Sequence, residues 1–118
     1  MEEISMEKTA QEAAVFAALS DPTRLGLMKI LCRCERGNAL CVSALAMNLN
    51  VTQPAISQHL RVLKTVGLVK SERRGYHIHY WVNPEILKKC HESVLDMLKS
   101  ADNYEETPCQ NNCLNGRK

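Results

Sequence analysis

The chain has 118 residues, 45% of them hydrophobic and 24% charged, with a formal net charge of +2. That length is one domain with a small core, so pairing of two copies is a natural way to bury more surface, and the composition excludes a wholly disordered chain. No apolar run approaches the roughly 18 residues that span a membrane, and the acidic start "MEEISMEKTA" has no basic-then-apolar signal pattern, so a cytoplasmic protein without a membrane partner is expected.

In chain order, residues 9–19, "TAQEAAVFAAL", are rich in alanine with apolar positions at helical spacing, a first helix. "SDPTRLGLMKILCRC" restarts the chain. Ser20 or Asp21 can cap, Pro22 sits where a helix tolerates it, and Leu25, Leu27, Met28, Ile30 and Leu31 carry a second helix that Gly37-Asn38 ends. "CVSALAMNLN" is a short third helix with Val42, Leu45, Ala46 and Leu49 on one side. Asn50-Val51-Thr52 is a turn, and Gln53–Val66 is a fourth helix.

Past Gly67 the period changes. Leu68–Glu72 and Tyr76–Val82 are β-type runs, with Arg73-Arg74-Gly75 between them and Gly75 able to supply the positive φ of a tight hairpin. Pro84 ends the second run and opens a last helix. Its apolar stripe is Ile86, Leu87, Cys90, Val94, Leu95, Met97 and Leu98. Residues 101–118 are polar and aperiodic, so the expected division is a folded dimer domain over 1–100 and a flexible cysteine-containing tail over 101–118.

The fourth helix carries the functional signal. At about 100° per residue, Ala55, Ile56, Leu60, Val62, Leu63 and Val66 collect on one side. Gln53, Ser57, Arg61 and Lys64 collect on the other, with Gln58 at the edge. Glutamine can make paired hydrogen bonds to an adenine edge, serine can bond bases or phosphate, and Arg61 and Lys64 suit phosphates. A helix, a three-residue turn and this helix make a helix-turn-helix, whose second helix enters the major groove N-terminal residues first. The hairpin that follows adds Arg73 and Arg74 for the phosphate backbone or minor groove. The expected fold is therefore mainly α with a small β-hairpin: a winged helix-turn-helix, homodimeric, on double-stranded operator DNA.

Charge agrees. Residues 53–80 hold five bases (Arg61, Lys64, Lys70, Arg73, Arg74) against Glu72, whereas residues 1–21 hold five acids (Glu2, Glu3, Glu7, Glu12, Asp21) against Lys8. A basic region on a nearly neutral chain suits a polyanion at that region alone. His59 falls among the apolar positions and is expected as a core histidine rather than a base contact. His77 and His79 share one face of the hairpin, either solvated, on the DNA backbone or as a ligand pair.

Taken together, "LSDPTRLGLMKIL", "ALCVSALAMNLNVTQPAISQHLRVLKTVGLV" and "RRGYHIHYWVN" resemble the ArsR-type metalloregulatory transcriptional repressors, over residues 19–83. The resemblance implies a homodimer built from the first and last helices, a recognition helix at Gln53–Thr65 contacting an operator through Gln53, Ser57 and Gln58, and an effector that releases the DNA. Family members often carry Cys-x-Cys at the start of the third helix. Here Cys41 is present but Ser43, a poor ligand for soft ions, replaces the second thiol. The acid-and-histidine set that zinc sensors of the family carry on the last helix is also missing, although His91 follows Cys90.

Six cysteines in a reducing compartment point to metal or redox chemistry rather than disulfides. The candidate ligands are Cys109 and Cys113, four apart in the tail, with Cys32, Cys34 or Cys90 as a third. As(III) takes three thiolates, and Cd, Pb or Zn three or four sulfurs. Cys41 and Cys90 also read as small packing residues. The expected function is a repressor released by a thiophilic metal or metalloid such as As(III). The alternatives are a thiol-redox or sulfur-species-responsive repressor of the same fold, or a winged-helix protein-interaction module without DNA binding. No Ser-His-Asp set, phosphate loop or Cys-x-x-Cys at a helix start argues for an enzyme.

Overall fold

Four of the five described helices begin where a side-chain oxygen accepts from a first-turn amide, and the helix over Val42–Leu49 starts without one. The computed structural model describes residues 3–34 and 40–103. Helix α1, Met6–Leu19, starts earlier than its alanine run because Ser5 Oγ accepts from the Lys8 amide at 3.3 Å. Helix α2, Pro22–Arg33, is capped by Asp21 Oδ2, which accepts from the Arg24 amide at 3.1 Å, and has Pro22 in its first turn. A two-residue strand β1, Leu40–Cys41, leads into α3, Val42–Leu49. Asn50 ends α3 in the left-handed region at φ 56°. Helix α4, Gln53–Thr65, is capped by Thr52 Oγ1. Strands β2, Val69–Arg74, and β3, His77–Val82, form the hairpin, and α5, Pro84–Asp102, closes the described chain.

The sheet order is β1-β3-β2, antiparallel throughout. Two features of the sheet differ from the sequence reading. The first is β1, since Leu40 pairs with Tyr80 and Cys41 with His79. The second is the hairpin loop, expected at Arg73-Arg74-Gly75. Arg73 pairs with Ile78 and Arg74 with His77, so both arginines are strand residues and the loop is Gly75-Tyr76. Gly75 has φ 66°, and among the described residues the other positive φ values are at Asn50 and Gly67. A positive φ at the first loop position only is the II′ pattern, which follows the strand twist.

The core joins α1 to α4 and the base of the hairpin. Leu27, Leu45, Ile56, Leu60, Leu63 and Leu68 are fully buried, with Val15, Ala18, Met28, Leu31, Val69 and Cys90 around them. Burying each large aliphatic side chain contributes about 1.5–3 kcal/mol before entropy is counted. This core holds α4 by Ile56, Leu60 and Leu63, so the opposite face of that helix has no freedom to turn inward.

Helix α5 is held differently. Ile86, Leu87 and Cys90 pack on the core, but Met97 and Leu98 stay 60% and 54% exposed, and Val94 is exposed as well. Ile4, Met6 and Phe16, at and before α1, are exposed too. A groove of about 790 Å³ runs between α1 and α5, lined by Glu12, Val15, Val66, Ile86, Cys90 and Ser93 among others. Ser93 Oγ donates to Glu12 Oε1 across it at 2.8 Å. The expected tail boundary at residue 100 falls inside α5, and Cys109 and Cys113 lie outside the described residues. No helix among the described residues is long and apolar enough to cross a membrane.

Candidate nucleic-acid interface

The turn between α3 and α4 sets the presentation of α4. Asn50 adopts φ 56°, and the Val51 amide donates to the Ala46 carbonyl at 3.1 Å, so the chain reverses within residues 50–52. Leu45 and Ala46 of α3 and Ile56 and Leu60 of α4 then share one buried cluster. Gln53, Ser57, Gln58, Arg61 and Lys64 are all exposed. Their side chains enter no hydrogen bond or ion pair among the described residues. The helix thus offers two amides, a hydroxyl and two cations along its outer side, all free to bond elsewhere.

The wing ends in cations. Arg73 and Arg74 are both exposed, on opposite faces of β2. Arg74 Nε lies 3.6 Å from Glu72 Oε2, an exposed pair two residues apart that contributes little to stability. Arg73 has no ionic partner among the described residues. Sequence reasoning placed both arginines at the tip and missed that Tyr76, a loop residue, projects there instead.

His59 is half-buried at the edge of the core rather than inside it. Its Nδ1 lies 3.3 Å from Arg24 Nη1 and 3.9 Å from Asp21 Oδ2. The ring ties α4 to the start of α2 and faces protein, not the exposed side of α4.

The four described cysteines stand apart in character. Cys90 is buried on α5, and burial, with the charge of Glu12 second, pushes its thiol pKa up. Cys32 is exposed, yet partial burial of its thiol raises its pKa too. Cys34 caps α2 and donates its thiol to the Ile30 carbonyl at 3.4 Å. Cys41 is half-buried before α3 with its Sγ 3.2 Å from Ser43 Oγ. That hydroxyl, with the Ala44 amide behind it, pulls the Cys41 pKa down. Cys41, His79 and Glu72 are level across β1, β3 and β2, so they share a sheet face with His77. His79 Nδ1 is buried there without a hydrogen-bond partner. Among the described residues no three Cys, His, Asp or Glu side chains converge in a way that could hold a metal ion.

Comparison with known proteins agrees with this geometry. Residues 21–71, from the α2 cap through α4 into β2, match the family described as "Bacterial regulatory protein, arsR family". A transcriptional repressor SmtB homolog of Synechocystis sp. is 37% identical over 101 residues, covering 86% of this chain and 74% of that one. The arsenical resistance operon repressor of Escherichia coli is 40% identical over 72 residues, 61% of this chain and 59% of that one. An ArsR-like transcriptional regulator from Rhodococcus sp. superposes with a TM-score of 0.68 at 33% identity, over 81% of this chain and 87% of that one. Capped helix pair, exposed polar α4 and short wing are therefore the parts of a transcriptional regulator rather than of an enzyme, and the chain belongs to the ArsR family.

Proposed function

We propose that this chain is a homodimeric, sequence-specific DNA-binding repressor that releases its operator on binding a thiophilic metal or metalloid. The observation that carries the DNA-binding half is α4: Ile56, Leu60 and Leu63 are fully buried while Gln53, Ser57, Arg61 and Lys64 stand exposed and unpaired. Gln53, Ser57 and Gln58 read base edges, Arg61 and Lys64 hold phosphates beside them, and Arg73 and Arg74 hold the backbone from the wing. The exposed apolar residues of α1 and α5 support the dimer, residues 1–100 forming the DNA-binding and pairing domain. A two-fold pair reads two half-sites when its recognition helices lie about 34 Å apart, one DNA turn.

The effector half rests on donor chemistry and on what a relative is named for, arsenical resistance. Soft thiolates suit As(III), Cd, Pb or Zn. Since no three ligand-type side chains among the described residues converge, Cys109 and Cys113 of the tail over 101–118 supply two ligands and one of Cys32, Cys34 or Cys90 the third. One observation favours a thiol-oxidation reading instead. Cys41 Sγ lies 3.2 Å from Ser43 Oγ, and that hydroxyl lowers its pKa, a shift in the direction that makes a thiol more reactive.

The test uses the full chain and a duplex that it enriches from a random pool. Gln53→Ala and Ser57→Ala reduce preference for that duplex over a scrambled one. Arg73→Ala lowers affinity for both and reduces the slope of log K against log salt by about 1. Intact preference in the first two variants removes the reading face from α4. As(III), Cd(II), Zn(II) and an oxidant are then titrated against the complex. Release by As(III) that is lost when Cys109 and Cys113 are both serine supports the tail site, and release by oxidant alone favours the redox reading.

A further inference from the structure

Tyr76 is the most exposed large hydrophobic side chain among the described residues, at 97%, and nothing in the fold explains why an aromatic stands there. It occupies the second position of the Gly75-Tyr76 loop, closed by the Arg74–His77 pair. A Cβ built on Gly75 would meet no atom within 4 Å beyond its chain neighbours, so open space also lies beside the first loop residue. The sheet is anchored at its other end, where Val69 is buried and Val82 packs against the core. The other wing aromatics, Tyr80 and Trp81, are half-buried. A tyrosine ring brings a large rigid surface with only two torsions to immobilise, which suits it to contacts made on binding.

The surroundings of the ring identify its partner. Its exposed chain neighbours are Arg73, Arg74 and His77, with Ile78 the one partly exposed apolar side chain beside them, while most of the exposed apolar surface suited to a protein partner lies on α1 and α5. A phenol beside two arginines matches a sugar-phosphate backbone: the ring packs on deoxyribose and the hydroxyl donates to a phosphate oxygen. We infer that Tyr76 is a neutral contact to the DNA backbone, clamping the wing on the duplex beside the arginines without adding charge or reading bases. This rests on the repressor reading above and adds to it a residue that charge and helical pattern do not reveal.

A neutral contact has a signature that a cation lacks. It releases no counterion, so its loss lowers affinity at every salt concentration without changing the slope. A backbone contact also lowers affinity equally for specific and non-specific DNA. The full chain and its Tyr76→Ala and Tyr76→Phe variants are titrated by fluorescence anisotropy against the enriched duplex and a scrambled one, from low to high salt. Tyr76→Ala is expected to bind both about tenfold more weakly with an unchanged salt slope, and Tyr76→Phe to recover about half of that loss on a logarithmic scale. Because the side chain touches nothing, thermal unfolding of both variants matches the wild type. Binding within twofold of wild type by Tyr76→Ala overturns the inference and leaves the repressor reading intact. A loss confined to the enriched duplex, or a salt slope reduced by about 1, overturns it as well. If the wild-type chain enriches no duplex, the repressor reading falls and the tyrosine's role with it.

Discussion

Arg24 Nη1 lies 3.3 Å from His59 Nδ1, across the seam between α2 and α4. A guanidinium only donates, so the ring accepts at Nδ1. The same arginine donates from Nε to the Ala18 carbonyl at 2.6 Å, at the end of α1. One side chain therefore joins the end of one helix, the start of the next and the helix proposed to read DNA. Asp21 completes the group, capping α2 while its Oδ2 sits 3.9 Å from His59 Nδ1.

Asp21 makes this junction sensitive to acid. The hydrogen bond from the Arg24 amide, helped by the charge of the Arg24 guanidinium, holds its pKa below the ordinary 3.8. A depressed folded-state pKa means stability that is fully present above the unfolded value and lost as pH falls through the folded one. Asp21→Asn keeps an oxygen for the cap but removes the titration. The variant is expected to be less stable than wild type at pH 7 and to lose less stability as pH falls below the ordinary carboxylate range. Urea midpoints measured over that fall in pH check it, and parallel acid limbs would refute the assignment.

A second junction lies between the end of α4 and the start of α5. Gly67 adopts φ 86°, and a Cβ there would meet Ile86 Cγ1 at 3.3 Å. Asn83 Nδ2 donates to the Gly67 carbonyl at 3.0 Å, and Asn83 Oδ1 accepts from the Glu85 amide at 3.3 Å. One side chain thus ties the recognition helix to the helix that carries the exposed apolar face. Asn83→Ala leaves the carbonyl and the cap unsatisfied, for an expected loss of about 1–2 kcal/mol in chemical denaturation. A loss below about 0.3 kcal/mol would show that water replaces both bonds.

Cysteine reactivity follows the local fields. Ser43 Oγ lies 3.2 Å from Cys41 Sγ and lowers that thiol's pKa, whereas burial raises those of Cys32 and Cys90. Alkylation by iodoacetamide near pH 7.5, followed by peptide mass spectrometry, is expected to mark Cys41 before Cys32 and Cys90. Ser43→Ala moves the Cys41 rate profile to higher pH. Cys90 reacting first would contradict the packing of α5 described above.

Much of this was legible along the chain because its causes are local. The Asp21-Pro22 and Thr52 caps, the turn at residues 50–52 and the 3.6-residue pattern mark α2 and the span Gln53–Thr65 through contacts a few residues apart. The start of α1 is less legible, because the alanine run begins at residue 10 while the capping serine, Ser5, lies a full turn ahead of it.

The amino-acid order by itself determined the helices, the outward face of α4 and the family pattern, since capping, periodicity and side-chain type act within a turn or two of the backbone. Only the tertiary structure decided where the hairpin closes. Pairing of Arg74 with His77 leaves Gly75-Tyr76 as the loop, and pairing of β1 with β3 brings Cys41 opposite His79, across a long stretch of chain. It likewise decided that His59 meets Arg24, that Met97 and Leu98 stay uncovered, and that no three ligand-type side chains among the described residues gather to hold a metal ion. Those outcomes depend on which surfaces meet in space, and no local pattern of residues encodes that meeting.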